Sequence, residues 1–165
     1  MDLPSTVGLG LANSDLMEGK LLLAMDVLFK QWSQTDLFGQ IYNDQWVYQF
    51  GAQYSMTPRT RLRLGYAYNQ DPMRTAGSLT VGGITLPDGV PGMRYVEAQF
   101  AAITQHRITT GIGVSDVLIP GLDFDLFAGY AFANSDQFAT TNVSLSGNYW
   151  LGFGATWRFG AGTRQ

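Results

Sequence analysis

Between Gln45 and Met56 the chain alternates without a break. Trp46, Tyr48, Phe50, Ala52, Tyr54 and Met56 fall on one side, and Gln45, Val47, Gln49, Gly51, Gln53 and Ser55 on the other. Successive side chains of a strand point to opposite faces, so this is a strand with one apolar and one polar or small wall. Strands of soluble domains average about 5–6 residues, whereas one that crosses a bilayer needs roughly 9–11. The same alternation predicts strands over 6–12, 20–33, 61–69, 105–115, 122–133 and 143–159, seven in all. In 61–69, for example, Leu62, Leu64, Tyr66 and Tyr68 oppose Arg61, Arg63, Gly65, Ala67 and Asn69. Short polar connections are expected at 13–19, 57–60 and 116–121, and longer ones between them.

Residues 70–104 break the rhythm and form the long connection. Gly82-Gly83 between β-formers predicts a two-residue hairpin over 78–86. The spacing of Tyr95, Val96, Phe100 and Ile103 predicts a short helix over 93–103. The whole chain, 1–165, reads as one β domain with 70–104 as an inserted loop.

Composition narrows the class. Charged residues make up 14% of the 165, against about 25% in soluble domains, and there are 20 glycines. No run of about 18 apolar residues offers a transmembrane helix. A membrane barrel has this profile, because alternation dilutes its hydrophobicity. A soluble sandwich would carry Lys, Glu, Thr and Ser on its outer face instead of Tyr, Trp and Phe. The net charge of −3 and the absence of a basic cluster argue against nucleic acid as a partner. With no Cys, disulfide and thiolate-metal chemistry drop out. No signal segment precedes Asp2, so a processed or truncated piece, or an engineered chain starting at an added Met1, is expected, truncation foremost.

Particular residues point to a family. They are Asp2-Leu3-Pro4-Ser5-Thr6-Val7-Gly8-Leu9-Gly10-Leu11, Leu23-Ala24-Met25-Asp26-Val27 and Gln31-Trp32-Ser33. Further on come Arg63-Leu64-Gly65-Tyr66-Ala67-Tyr68 with Asp71-Pro72, Leu86-Pro87-Asp88, and His106 with Thr109-Thr110-Gly111-Ile112-Gly113. With Trp150-Leu151-Gly152-Phe153-Gly154 they resemble, in order and spacing over 2–159, the C-terminal half of the outer-membrane long-chain fatty acid transporter (FadL) family. The resemblance implies an all-β fold, half of a 14-stranded antiparallel transmembrane β-barrel in the bacterial outer membrane. It also implies passive uptake of hydrophobic small molecules such as long-chain fatty acids, with no cofactor. The short turns are then periplasmic and 70–104 extracellular. The chain departs from the family in lacking the N-terminal hatch and most of the binding pocket, and in carrying a tail, 160–165, after Phe159.

Seven strands leave an open edge, which lipid penalises by several kcal/mol per unpaired backbone group. The missing N-terminal half or another chain is expected to close the barrel; a second copy is an alternative, and the hairpin at 78–86 is too short to span. The rival function is a structural one, a truncated barrel that serves as an assembly component.

Candidate substrate-binding residues are the loop apolars Leu79, Val81, Ile84, Leu86, Met93, Tyr95 and Phe100, either as a landing surface for a greasy ligand or as packing over the barrel mouth. The expected lumen-facing charges are Asp26, Lys30, Arg61, Arg63, Arg107, Asp123, Asp125 and Arg158. Asp123, Asp125 and Arg158 are expected to form an ionic ladder at the short-turn rim, extended towards Arg61 and Arg63, the functional alternative being a polar exit path for an amphipathic substrate's carboxylate. No catalytic or metal residue is expected: there is no Gly-x-Ser-x-Gly elbow, and His106 stands alone.

Overall fold

The computed structural model describes residues 3–74, 78–87, 90–91, 103–138 and 141–159. Among these residues eleven strands follow in chain order: β1 Ser5–Asp15, β2 Leu21–Gln31, β3 Gln45–Ser55, β4 Thr60–Asn69, β5 Leu79–Val81, β6 Ile84–Leu86, β7 His106–Val114, β8 Leu122–Ala131, β9 Asn134–Phe138, β10 Thr141–Leu145 and β11 Asn148–Trp157. The seven long ones, of 9 to 11 residues, form one antiparallel sheet in the order β1-β2-β3-β4-β7-β8-β11. β5–β6 and β9–β10 are separate two-stranded hairpins.

The alternation fixes the register, and the register assembles rows. One row runs Leu11, Met25, Phe50, Tyr66, Ile108, Tyr130 and Tyr149 across all seven strands. A single-residue slip would turn any one of these to the other face. The next row on the same face, Leu23, Ala52, Leu64, Thr110, Ala128 and Leu151, has no aromatic side chain. Aromatic residues therefore gather towards the long-loop end (Phe29, Trp46, Tyr48, Tyr68, Phe132) and return at the other end (Tyr54, Phe124, Trp157). This face is uncovered: Leu64 is 63% exposed, Leu151 74% and Phe153 82%. No second layer packs on it among the described residues.

The buried cluster lies elsewhere. Phe38, Ile41, Tyr42, Met73, Leu79, Ile103 and Val143 form a small core built entirely from connections at the long-loop end, with Trp32, Leu37, Leu86, Val90 and Leu145 packed against it. Trp32, Phe38 and Tyr42 contact one another with ring centroids 5.0–5.5 Å apart. Backbone bonds tie this cap together: Asn43 donates to the Pro72 carbonyl at 2.6 Å, and Arg74 to that of Ile41 at 3.0 Å. The Asn134 amide donates to the Ile103 carbonyl at 2.9 Å.

Several boundaries differ from expectation. β1 continues to Asp15, so the first turn shrinks to Leu16–Gly19, with Met17 and Glu18 in the left-handed region. β2 stops at Gln31, because Trp32 turns out of the sheet to join the cap. The expected strand over 143–159 is two elements. β10 folds back on β9 and buries Val143 in the cap, and the sheet resumes only at Asn148. At the intervening Gly147 a Cβ would collide with the Tyr130 hydroxyl, so a larger residue there is excluded while Tyr130 holds its place. The β5–β6 hairpin forms where the sequence expects it, with Gly82 at φ +59° and Gly83 at φ +81°. Positive φ at both central residues is the type I′ turn that matches strand twist. The helix expected over 93–103 lies outside the described residues except for Ile103, which is buried in the cap.

Candidate functional site

The second face of the sheet carries the polar and small residues. Its central row is Ala12, Ala24, Gly51, Gly65, Thr109, Gly129 and Trp150. Beside it runs Gly10, Asp26, Gln49, Ala67, Arg107, Ala131 and Asn148. Glycine and alanine leave the middle of this face low, and the few long side chains lie across the vacated ground. The Trp150 indole covers Gly129 and the Phe127 ring covers Gly152, each where a Cβ would collide. This reciprocal exchange between β8 and β11 shields strand glycines that would otherwise weaken the sheet.

Between these rings and the cap is a depression of about 300 Å³, lined by Gln49, Gly65, Ala67, Arg107, Thr109 and Trp150. Arg107 is the only cation among its described lining residues. One Nη donates to the Asn69 amide oxygen at 3.4 Å, a long bond, while Nε is buried without a hydrogen-bond partner among the described residues. An unsatisfied buried donor costs about 1–3 kcal/mol, more when charged. The arrangement therefore suits an anionic or strongly accepting group against Arg107, with Gln49 and Thr109 beside it and an indole wall for an apolar body. A larger hollow, about 480 Å³ around Ala52, is bordered by Leu11, Leu23, Met25, Phe50, Leu64 and Tyr66. It belongs to the apolar face, where a small residue lies among large ones, and its lining is almost wholly hydrocarbon, with the Asn13 amide and the Tyr66 hydroxyl at its border.

At the short-turn end the charges pair. Arg158 meets Asp123 at 2.9 Å, and Arg63 meets Asp125 at 2.6 Å. Arg63 also donates to Gln53 at 3.0 Å. β7 separates β4 from β8, so the second pair must pass over Gly113, where an added Cβ would lie 2.6 Å from Asp125 Oδ1 and 3.4 Å from the guanidinium. Gly113 is thus the gap through which the two side chains meet. The rim holds two separate pairs in place of a continuous ladder, and Arg61, Asp26 and Lys30 join neither. At around 40–57% side-chain exposure for three of the four partners, these pairs fix geometry more than they add stability.

The loop residues divide. Leu79 is buried and Leu86 packs beside it, which makes them part of the cap interior. Val81 and Ile84 face each other at the hairpin tip, both exposed. Met93, Tyr95 and Phe100 lie outside the described residues. Sequence reasoning missed the depression at Arg107, because its members come from β3, β4, β7 and β11 and meet only through the register; Trp150 among the glycines of its strand was the available signal. His106 sits on the apolar face, its Nδ1 2.8 Å from the Tyr66 hydroxyl and its ring against Tyr66 and Tyr68.

Within the cap, burial pushes the Tyr42 phenol up to about 12. Burial also raises Asp71, and the nearby Asp136 carboxylate adds to it against the opposing bond from the Met73 N–H. Among the described residues no group of three or more His, Cys, Asp or Glu is placed to hold a metal ion. Comparison of the chain with protein-family models, curated proteins and solved structures returns no match.

Proposed function

We propose that this chain is part of an outer-membrane β-barrel of the fatty acid transporter type that admits hydrophobic small molecules by diffusion. The observation that carries the reading is the inverted sheet. Most of its large apolar side chains lie exposed on one face in rows crossing seven strands, while the opposite face, Phe127 and Trp150 apart, is mainly small and polar. In water, leaving a Leu or Phe side chain exposed forfeits about 1.5–3 kcal/mol each, and more than a dozen are exposed here. Against acyl tails the same face is in its proper solvent, and the gathering of aromatics towards its two ends matches interfacial girdles. The small-residue face then lines the lumen, the cap covers its extracellular mouth, and the Arg107 depression receives the polar head of an amphipathic molecule whose tail lies along Trp150.

The test uses hexadecanoate bearing a fluorophore, titrated onto the detergent-solubilised chain. Saturable binding, displaced by unlabelled hexadecanoate and weakened about tenfold or more in Arg107→Leu, is expected from the loss of a charge-assisted bond. Binding no better than to empty micelles would favour the second reading, a barrel component that serves assembly. The specific observation on that side is that β1 and β11 each have a neighbour on one side only.

A further inference from the structure

Two of the short turns hold apolar side chains outward on backbone that such residues rarely adopt. In the β7–β8 turn Leu118 has φ +67°, and it is 90% exposed. The Ile119 N–H donates to the Val117 carbonyl at 2.8 Å and closes a γ-turn around Leu118. With positive φ at its centre, this is the rare and strained form of that turn. In the β1–β2 turn Met17 and Glu18 are both left-handed, and Met17 is 58% exposed. Left-handed backbone suits Gly, Asn and Asp, and a bulky residue there is an outlier. Neither turn is loose. The Asp116 carboxylate accepts from the Gly121 N–H at 2.8 Å, and Asp123, itself paired with Arg158, accepts from the Asp116 N–H at 3.1 Å. The Val117 N–H donates to the Leu122 carbonyl at 2.8 Å. At the other turn, the Lys20 N–H donates to the Met17 carbonyl and its own carbonyl accepts from Ser55 at 2.7 Å. Strain persists only where the surroundings over-determine it, and it marks a use.

The neighbouring residues say what that use is. Leu122 pairs with Trp157 on the apolar face, and the Arg158 N–H donates to the Gly121 carbonyl at 2.9 Å. This bond brings the end of β11, and with it Phe159, against the turn that carries Leu118. The Trp157 and Phe159 rings meet edge to face, with centroids 5.3 Å apart, and both are exposed. On β3, exposed Met56 follows Tyr54 on the same face. Exposed hydrocarbon therefore runs on past the aromatic end of the apolar face, through Met56 and Phe159, to the two turn tips. The charges of the turns nearly balance, Lys20 and Arg59 against Asp15, Glu18 and Asp116. A surface met by these tips is thus engaged through hydrocarbon more than through charge.

We propose that Met17 and Leu118 are interfacial anchors, dipping the two turns into the headgroup region of the leaflet at the short-turn end and fixing the depth of the sheet. The occupant is a lipid surface, because the tips prolong a face that acyl chains cover in the membrane reading, on which this inference rests. Apolar side chains of interfacial segments bury about 5–10 Å into the boundary between headgroups and acyl chains. Anchors at that level set how a spanning element sits against the bilayer thickness. A rigid, left-handed turn serves this purpose because it holds Leu118 and Met17 out from the sheet, where an extended strand would turn them along it.

The experiment reconstitutes the full chain into phosphatidylcholine vesicles, with and without phosphatidylglycerol. Met17→Cys, Leu118→Cys and, as the control on the third short turn, Arg59→Cys each carry a bimane fluorophore. The expected result is loss of iodide quenching at 17 and 118 together with strong quenching by nitroxide lipids labelled near the headgroup, equally in both lipid mixtures. The label at 59 is expected to stay open to iodide. A second variant, Met17→Asn with Leu118→Asn, suits the left-handed backbone and removes the hydrocarbon. It is expected to shift the quenching of Trp157 towards acyl bromines nearer the headgroup, and unchanged quenching would overturn the proposal. Labels at 17 and 118 as open to iodide as that at 59, with Trp157 still quenched by lipid, would overturn it while leaving the membrane reading intact. Shielding from iodide without nitroxide quenching would mean that a protein surface covers the tips, and would overturn it too. Insensitivity of both the labels and Trp157 to lipid would overturn the membrane reading and the proposal together.

Discussion

Gly113 shows how one absent side chain organises its surroundings. The Arg63–Asp125 pair crosses β7 only because position 113 offers no Cβ. Gly113→Val is expected to separate the pair, and the pair's exposure limits the direct electrostatic loss to under about 1 kcal/mol. Strain in β7 would add to that loss, so Asp125→Asn serves as the control that removes the charge without the bulk. Equilibrium unfolding in lipid of both variants checks this. Leu64, in the row without aromatics, makes the opposite case. Leu64→Arg is expected to cost about 2–4 kcal/mol in a bilayer, the penalty of a cation near the midplane on a lipid-facing strand. Ala12→Arg, on the other face opposite Ala24, is expected to change stability little. Asp71 adds a pH dependence. Its raised folded-state pKa means that the folded cap holds the proton more tightly than the unfolded chain. The cap is therefore firmest at acid pH and loosens as pH climbs from the ordinary carboxylate range through the raised value. Trp32 fluorescence, with the other tryptophans replaced by Phe, is expected to report that loosening, and Asp71→Asn to abolish it.

At the scale of elements, the chain's two kinds of structure answer to different information. The seven long strands were legible because each carries its own alternation, and the β5–β6 turn was legible in Gly82-Gly83. The cap was not. Ile41, Met73, Leu79, Ile103 and Val143 come from segments far apart in sequence, and no local spacing tells that they meet. β9 and β10 were missed for a related reason: Thr141–Leu145 reads as the start of the final strand until its pairing with Asn134–Phe138 is seen. The Arg107 site depends on the register of four strands, so only its individual residues could be read in advance. Because the cap's core is separate from the sheet, Ile41→Ala is expected to cost the cap about 2–5 kcal/mol, the usual price of a buried truncation. Limited proteolysis should then find the loops open while amides in β3 and β4 remain protected.

For the molecule as a whole, the governing fact is that the sheet has no apolar interior among the described residues. Most of its large hydrophobic side chains lie exposed on one face of a single layer, and the buried cluster of described residues belongs to the loops. A water-soluble chain of this size would hide that face against a second layer. Tryptophan positions make the claim measurable. Trp46 and Trp157 lie on the apolar face, Trp150 on the small-residue face and Trp32 in the cap. The most direct test is fluorescence quenching of four single-tryptophan variants in bilayers with brominated acyl chains. Strong quenching of Trp46 and Trp157 with little at Trp150 and Trp32 is the predicted result. Quenching of Trp150 without Trp46, or equal insensitivity of all four, would contradict it.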